Sequence, residues 1–364
     1  MAVRLPRFPW DLLAPYGAKA RAHPGGIVDL SVGTPVDPVP PVVMSALSAA
    51  ANAPGYPATH GTPQLREAAA GWLARRHGVV VPPDAVLPVI GTKEFIAGLP
   101  GLLGCGPGDV VVYPELAYPT YDIGARLAGA RGAAADGLTA LGPEPVRLVW
   151  VNSPANPTGR VLPPGHLAKM VNWARERGAV LASDECYLGL AWDAEPVSVL
   201  HPDVCGGSAE GVLAVHSLSK RSNMAGYRAG FVTGDPALIA RLLEIRKHAG
   251  MIMPAPVQAA MAAALDDDVH AGQQYSVYAA RRGRLRPAFQ AAGWEITHSE
   301  AGLYLWASRP GHDGWGSVDL LAGLGILVAP GEFYGPAGRQ HIRIALTATD
   351  ERIDAAVRRL AELP

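Results

Sequence analysis

Short apolar runs alternate with amphipathic stretches from about residue 39 to residue 236. The runs AVLPVIG, DVVVYP, VRLVWVN, AVLASDE, GVLAVHS and RAGFVTG have the length and content of buried parallel strands. Apolar residues with helical spacing precede the first run, in PPVVMSALSAAAN and TPQLREAAAGWLARRHG. This alternation predicts an α/β fold in which a mostly parallel central sheet is covered by helices.

The pattern changes after about residue 236. Long helices are predicted at PALIARLLEIRKHAG and VHAGQQYSVYAARRGRLRPAFQAAG, and the strand-like GLYLWAS, GILVAPG and HIRIAL and a last helix at DERIDAAVRRLAEL follow. We interpret this part as a smaller α+β domain. We expect an N-terminal arm over residues 1–38 that joins the small domain, a large domain over 39–250, and the small domain over 251–364.

Charge and composition exclude several classes of function. The chain of 364 residues has 31 Lys and Arg against 32 Asp and Glu, and neither sign forms a long block. It therefore offers no basic face to nucleic acid or to an anionic membrane surface. No apolar stretch has the length of a membrane span, and Cys105, Cys186 and Cys205 are too far apart for a zinc site. We expect a cytoplasmic protein with reduced thiols and no nucleic-acid or membrane partner.

Polar and aromatic residues follow several of the predicted strands, where an open α/β sheet binds its ligands. Thr92 begins a predicted helix directly after one strand, and Tyr118 follows the next. Asn156 lies in the proline-bounded SPANPTG, while Asp184 and Tyr187 belong to DECY at another strand end. Each of these residues alone is equally compatible with a turn, a helix cap or core packing.

The stretch SLSKRSNMAGYRAG places Ser217, Ser219 and Lys220 at the end of the strand GVLAVHS, and Arg228 follows the lysine by eight positions. A lone lysine is usually a solvated surface charge, but this lysine lies where the fold is predicted to bind a ligand. The ordered set comprises a lysine, an aspartate for a ring nitrogen, an asparagine, a stacking aromatic and a phosphate cup that includes Thr92. Together these features match the needs of pyridoxal 5'-phosphate.

The chain resembles the class I and II aminotransferases, which are fold type I pyridoxal-phosphate enzymes. The resemblance covers essentially the whole chain and follows the family order through YPATHG, GTKE, YPTY, NPTG, DECY, the lysine stretch and HIRIAL. It implies transfer of an amino group between an amino acid and a 2-oxo acid in two successive half-reactions. It also implies a homodimer with shared active sites.

The resemblance assigns catalytic roles to residues of this chain. Lys220 would bind the cofactor covalently and then move the proton, and Asp184 would pair with the ring N–H. Asn156 and Tyr187 would contact the ring oxygen O3', and Tyr118 would stack on the ring. Because a protonated pyridine ring accepts electrons, the Asp184 carboxylate would be needed for turnover.

The resemblance also implies how phosphate and substrate are held. The phosphate-binding residues would be Thr92 and Lys93 through their backbone N–H groups, with Ser217, Ser219 and Arg228. Tyr56 of YPATHG would reach the phosphate of the neighbouring subunit. Arg343 of HIRIAL would bind the substrate carboxylate through its planar fork, with Asn156 and Gly33 beside the substrate.

Over its full length the chain is most similar to the shorter N-succinyldiaminopimelate aminotransferases of lysine and cell-wall biosynthesis, with glutamate as the expected amino donor. Such a substrate carries an acidic acylated tail. Arg21, Arg160 and Arg221 are candidates for binding that tail, although each is more simply explained as a surface charge. An aminotransferase of another specificity, a pyridoxal-phosphate C–S lyase and a non-enzymatic sensor are the alternatives.

Overall fold

The computed structural model describes residues 5–137 and 142–363. Its α-helices are α1 (Ala14–Arg21), α2 (Pro41–Ala49), α3 (Pro63–His77), α4 (Thr92–Leu102), α5 (Thr120–Leu127), α6 (Pro164–Glu176), α7 (Pro202–Cys205), α8 (Pro236–Ala249), α9 (Ala255–Asp266), α10 (Asp268–Ala291), α11 (Gly314–Gly323) and α12 (Asp350–Leu360). Its strands are β1 (Val28–Asp29), β2 (Val86–Ile90), β3 (Val110–Tyr113), β4 (Arg131–Ala134), β5 (Val146–Asn152), β6 (Val180–Asp184), β7 (Val212–Ser217), β8 (Ala229–Gly234), β9 (Glu295–Thr297), β10 (Tyr304–Ser308), β11 (Ile326–Leu327), β12 (Ala329–Pro330) and β13 (His341–Ala345).

The large sheet has seven strands in the order β2-β8-β7-β6-β5-β3-β4. Strands β4, β3, β5, β6 and β7 pair in parallel, and β8 is antiparallel to both of its neighbours. The predicted mostly parallel sheet is confirmed, and each predicted run before residue 236 forms one of its strands. Strand β4 was not predicted, because Arg131–Ala134 is a partly exposed edge strand in which an arginine, a glycine and two alanines form no strongly apolar run.

Helices cover both faces of this sheet. Residues of α2, α3, α6 and α9 share one buried cluster with the sheet, and residues of α4, α5 and α8 share another on the opposite face. Burial on both faces explains why the strands are apolar runs rather than alternating patterns. Helix α9 lies beyond residue 250 but packs against α2 and α3, and the domain boundary at that position stays a prediction.

The smaller sheet is antiparallel, in the order β12-β13-β10-β9, and it has its own buried cluster. The N-terminal segment contacts this part of the molecule, since β1 pairs in parallel with β11 and α1 packs against α11. The predicted smaller α+β unit is therefore confirmed, whereas the boundary at residue 38 stays a prediction. Among the described residues, no helix combines the length and apolarity that crossing a membrane requires.

Candidate active site

A cavity of about 420 Å³ lies at the carboxyl ends of the central strands. Strands β2, β6 and β7 end at the same edge of the sheet, so the residues that follow them converge there. Almost every predicted site residue lines this cavity: Gly33, Thr92, Lys93, Tyr118, Asn156, Asp184, Tyr187, Ser217, Ser219, Lys220, Arg228 and Arg343. The structure thus brings together side chains that are up to several hundred residues apart in the chain.

Tyr56 is the predicted site residue that the cavity does not include. Its side chain is 100% exposed in this single chain, and it lies in the loop before α3. The sequence analysis assigned Tyr56 to the site of a neighbouring subunit rather than to its own. That assignment stays a prediction.

Asp184 is the last residue of β6, and its carboxylate is buried. The Tyr121 hydroxyl donates a hydrogen bond to Oδ2 at 2.8 Å, and the Cys186 backbone N–H donates to Oδ1 at 3.2 Å. Burial raises the pKa of the Asp184 carboxyl, while these hydrogen bonds oppose the shift. A cationic ring N–H in the cavity would favour the ionised form further, which is the role expected of this residue.

The turn that carries Asn156 is held by Asn152, at the end of the adjacent strand β5. The Asn152 amide donates to the backbone oxygens of Pro154 at 3.1 Å and Asp184 at 2.8 Å. Its Oδ1 accepts a hydrogen bond from the Asn156 backbone N–H at 2.7 Å. Asn152 therefore connects the Asn156 turn to the strand end that carries Asp184. The sequence analysis missed this residue, although a polar side chain at the end of an apolar run was the available signal.

Lys220 lies in the turn after β7, and its backbone oxygen accepts a hydrogen bond from the Tyr278 hydroxyl at 3.3 Å. Burial of the side chain lowers the pKa of the Lys220 amine. In the described ranges, no carboxylate forms an ion pair with this amine. A larger neutral fraction suits a lysine that must act as a nucleophile and later as a base.

Several groups that can bind an anion lie near the start of α4. Gly91 precedes the helix with a φ of 75°, and a Cβ at this position would overlap the Arg228 guanidinium. The close approach of Arg228 therefore requires glycine here. The first backbone N–H groups of α4 have no partner within the helix, and the Ser217 hydroxyl lies in the same cavity. A helix N-terminus, hydroxyl groups and a guanidinium together fit the phosphate of the predicted cofactor.

Arg343 lies in β13 with only 2% of its surface exposed. Its Nη1 donates to Asn156 Oδ1 at 2.9 Å and its Nη2 to the Ser31 backbone oxygen at 2.7 Å, but its buried Nε has no partner among the described residues. The alternative of an ion pair with a protein carboxylate is not found in those residues. A buried guanidinium with unused donors favours binding of an anion from the cavity.

Tyr304 of β10 completes the wall around Arg343. The centroid of its ring lies 3.9 Å from Arg343 Cζ, and its hydroxyl is 3.1 Å from the Tyr187 hydroxyl. A Cβ on Gly33 would overlap the Tyr304 hydroxyl, so glycine is needed where the N-terminal segment crosses the site. The sequence analysis missed Tyr304, because a tyrosine within the apolar run GLYLWAS carries no signal beyond core packing.

The arginines proposed for an acidic substrate tail do not line this cavity. Arg21 and Arg160 are exposed. Arg221 points elsewhere, since its Nη1 donates to the Ala264 backbone oxygen at 2.7 Å and its Nη2 lies 3.4 Å from Asp268. The surface-charge explanation given for these residues is consistent with the positions of Arg21 and Arg160. It does not hold for Arg221, whose side chain is only 13% exposed because these contacts hold it within the fold.

Comparison with known proteins agrees with this arrangement. The family model for aminotransferase class I and II matches residues 26–360. The chain is 62% identical to the 4-dedimethylamino-4-oxo-anhydrotetracycline transaminase OxyQ of Streptomyces rimosus, over 98% of this chain and 99% of that protein. It is 64% identical to a probable aminotransferase of Mycobacterium tuberculosis, over 99% of this chain and 86% of that protein. A solved structure of a probable N-succinyldiaminopimelate aminotransferase from Thermus thermophilus aligns with a TM-score of 0.86 at 32% identity, covering 98% of this chain and all of that one.

The chain therefore belongs to the class I and II aminotransferases and has the fold of the type I pyridoxal-phosphate enzymes. Its cofactor is pyridoxal 5'-phosphate, and as an aminotransferase it acts on small-molecule amino acids and oxo acids. The predicted aminotransferase activity is confirmed at this level, which leaves the lyase and sensor alternatives without support. The individual roles of the site residues stay proposals.

Proposed function

We propose that this aminotransferase uses glutamate and 2-oxoglutarate as one amino donor and acceptor pair and N-succinyl-LL-2,6-diaminopimelate with its 2-oxo counterpart as the other. The structural similarity to the Thermus thermophilus protein supports this specificity. A relationship at 34% identity to an LL-diaminopimelate aminotransferase of Dehalococcoides mccartyi supports the diaminopimelate part of the substrate, but not its succinyl group. The observation that carries the proposal is the position of Lys93 at the cavity wall.

When bound, pyridoxal 5'-phosphate supplies an electron sink for the charge that develops at the substrate Cα. The start of α4 and Arg228 would hold the phosphate, and Asp184 would accept a hydrogen bond from the protonated ring nitrogen. Lys220 would hold the cofactor covalently, and its amine would carry the proton from and to the substrate Cα. Tyr121 and Cys186 keep the Asp184 carboxylate oriented through the hydrogen bonds described above.

Arg343 fixes the substrate at its carboxylate. A guanidinium has five N–H donors. Its hydrogen bonds to Asn156 and Ser31 use two of these, which leaves the Nε donor and further Nη donors for a bidentate pair with a carboxylate. Every amino acid and 2-oxo acid substrate carries that carboxylate, so Arg343 serves both half-reactions.

The Lys93 side chain lines the cavity, but we assign it neither to the cofactor phosphate nor to the substrate α-carboxylate. It follows Thr92 in the first turn of α4, and its ammonium lies 5.4 Å from the centroid of the Phe8 ring and 6.0 Å from that of Tyr118. Within residues 5–137 and 142–363 it forms no ion pair with a carboxylate. We therefore propose that the Lys93 ammonium binds the distal carboxylate of an acidic substrate tail.

The test is a panel of amino donors with 2-oxoglutarate as the acceptor, followed by product identification by mass spectrometry. We expect N-succinyl-LL-2,6-diaminopimelate to be the preferred donor. The panel includes the 2-oxo acids as acceptors and a polycyclic ketone of the kind named for the Streptomyces rimosus relative. Preference for that ketone, or no turnover of the succinylated donor, would show that the proposed specificity is wrong.

The Lys93→Met variant tests the assignment of the distal carboxylate. Because Lys93 is exposed to solvent, we expect a loss of about 1 kcal/mol, or about fivefold in kcat/KM, for the succinylated donor. L-Alanine has no distal carboxylate and serves as the matched control substrate. An equal loss for L-alanine would show that Lys93 acts on the cofactor rather than on the tail.

We further propose that two copies of the chain form the active unit, with Tyr56 contributing to the neighbour's phosphate site. Support comes from the full exposure of this ring in a single chain and from its place in the YPATHG motif. A two-fold arrangement makes both sites equivalent.

A further inference from the structure

Tyr187 and Tyr304 form a hydrogen-bonded pair of hydroxyl groups on the wall of the cofactor cavity. The two oxygen atoms are 3.1 Å apart, and both side chains are buried. Tyr187 follows β6 of the large sheet, while Tyr304 begins β10 of the smaller sheet, so the pair connects the two parts of the molecule. The roles proposed above use the Tyr187 hydroxyl and leave that of Tyr304 without a function.

The Tyr304 ring is held by contacts that do not involve its hydroxyl. Trp306 lies opposite Arg343 in the β10–β13 ladder, so Tyr304, two positions earlier on the same strand, lies on the same face as Arg343. The Arg343 guanidinium covers the ring, with Cζ 3.9 Å from the ring centroid. The ring also packs edge to face against that of Tyr187, with the centroids 5.7 Å apart. A phenylalanine at this position would keep both contacts.

The chain also makes room for the hydroxyl itself. The N-terminal segment crosses the site at Gly33, where a Cβ would overlap the Tyr304 hydroxyl. Within the described parts of the chain, this hydroxyl has one hydrogen-bond partner, Tyr187. Gly33 therefore admits a hydroxyl whose hydrogen bond goes to Tyr187.

The number of protons decides which tyrosine donates. Each hydroxyl has one proton to donate and can also accept. Burial raises the pKa of the Tyr187 hydroxyl, so Tyr187 keeps its proton near neutral pH. If Tyr187 gives that proton to the cofactor ring oxygen O3', its own oxygen is free only to accept. Tyr304 is then the donor within the pair.

Two hydrogen bonds in series strengthen each other, because a hydroxyl that accepts a hydrogen bond becomes a stronger donor. A hydrogen bond from Tyr304 would therefore strengthen the bond from Tyr187 to O3'. A donor at O3' competes with the proton that the covalently bound cofactor shares with this oxygen. The tyrosine pair would thus favour the deprotonated form of the bound cofactor.

We propose that Tyr304 is a positioning residue that acts through Tyr187: its hydroxyl orients and strengthens the Tyr187 donor and so lowers the pH at which the bound cofactor loses its proton. The inference rests on the proposed contact of Tyr187 with O3' and adds a residue that this contact requires. It does not depend on which amino donor the enzyme prefers.

The experiment titrates the visible absorbance of the bound cofactor against pH, without substrate. Tyr304→Phe removes the hydroxyl and keeps the ring. Tyr334→Phe is the matched control: Tyr334 is also buried, and its ring centroid lies 4.8 Å from Arg343 Cζ, but its hydroxyl has no hydrogen-bond partner among the residues that the structure describes. Tyr187→Phe and the double variant Tyr187→Phe/Tyr304→Phe complete a cycle that isolates the coupling between the two hydroxyls.

Tyr304→Phe should raise the midpoint of the titration by about 0.5–1 pH unit, about a three- to tenfold change in proton affinity, because one hydrogen bond in the series is lost. Tyr187→Phe should raise the midpoint further. The double variant should match Tyr187→Phe, since Tyr304 has no route to O3' once the Tyr187 hydroxyl is absent. Tyr334→Phe should leave the midpoint unchanged.

An unchanged midpoint in Tyr304→Phe would overturn the inference, and an equal rise in Tyr334→Phe would attribute the effect to packing around Arg343 instead. A rise in the double variant beyond that of Tyr187→Phe would show that Tyr304 does not act through Tyr187. If Tyr187→Phe itself left the midpoint unchanged, the contact with O3' would be wrong and the inference with it. Failure of the proposed substrate specificity would appear in the donor panel and not in this titration, which contains no substrate.

Discussion

Replacement of Arg343 by lysine should slow both half-reactions to a similar extent. The guanidinium is buried, and its contacts with Asn156 and Ser31 hold its plane in place beside the Tyr304 ring. Lysine keeps the positive charge but replaces a planar fork with a single ammonium group. It therefore cannot keep the protein contacts and still form a bidentate pair with the substrate carboxylate.

The size of the effect follows from the hydrogen bond that is lost. A hydrogen bond to a charged group contributes about 1.5–3 kcal/mol, and a loss of about 2 kcal/mol corresponds to about a 30-fold decrease in kcat/KM. The α-carboxylate belongs to the amino donor and to the 2-oxo acceptor alike. The decrease should therefore be about equal in the two directions.

The assay follows the absorbance of the bound cofactor in single turnovers, first with L-glutamate and then with 2-oxoglutarate. Arg359→Lys is the matched control. Arg359 is also buried, but its guanidinium donates to backbone oxygens of Gly25, Leu324 and Gly325 and it does not line the cavity. We expect Arg359→Lys to lower the free energy of unfolding without changing either half-reaction.

If Arg343→Lys lowered the rate of only one half-reaction, or of neither, Arg343 would not bind the α-carboxylate in both half-reactions. Loss of the cofactor absorbance in Arg343→Lys would instead assign the residue to cofactor binding. The variant should keep that absorbance, because the proposed phosphate-binding groups are the start of α4 and Arg228 rather than Arg343.

Three further results are expected from the same geometry. Lys220→Ala should abolish the visible absorbance of covalently bound cofactor, and a borohydride-reduced adduct on another lysine would refute this assignment. Asp184→Ala should still bind the cofactor through its phosphate but lose most turnover, because a neutral pyridine is a poor electron sink; near-normal activity would leave Asp184 with a structural role only. Tyr56→Ala should weaken cofactor binding in a dimer that light scattering detects, and a fully active monomer would reject the shared site.

Much of the site could be predicted because it depends on strand ends. Asp184 and Ser217 close apolar runs, and Asn156 follows another, so a residue's place relative to an apolar run was sufficient to predict that these side chains would meet. The family resemblance supplied the roles, including that of Arg343, which composition and periodicity alone did not indicate. The cytoplasmic location and the absence of a nucleic-acid partner stay predictions.

The residues that orient the site were harder to predict, because their contacts connect distant parts of the chain. The Tyr121 hydroxyl reaches Asp184 across 63 positions, and that of Tyr304 reaches Tyr187 across 117. The apolar residues that flank each tyrosine in the sequence indicate that it is suited to burial. They do not show which polar group its hydroxyl will face, because that depends on the order of the strands and on how the two sheets pack.

Periodicity and strand-end chemistry were thus sufficient to predict the fold class and several residues that line the candidate site, such as Asp184 and Ser217. Long-range packing determined the rest, above all the space beneath residues 5–10, where Phe8 lies near Lys93 and Trp10 packs against Tyr334. The physical reason is that an amphipathic pattern specifies which face of an element is buried. The partner that covers that face is selected only when the whole chain folds, since many apolar surfaces bury a given face almost equally well.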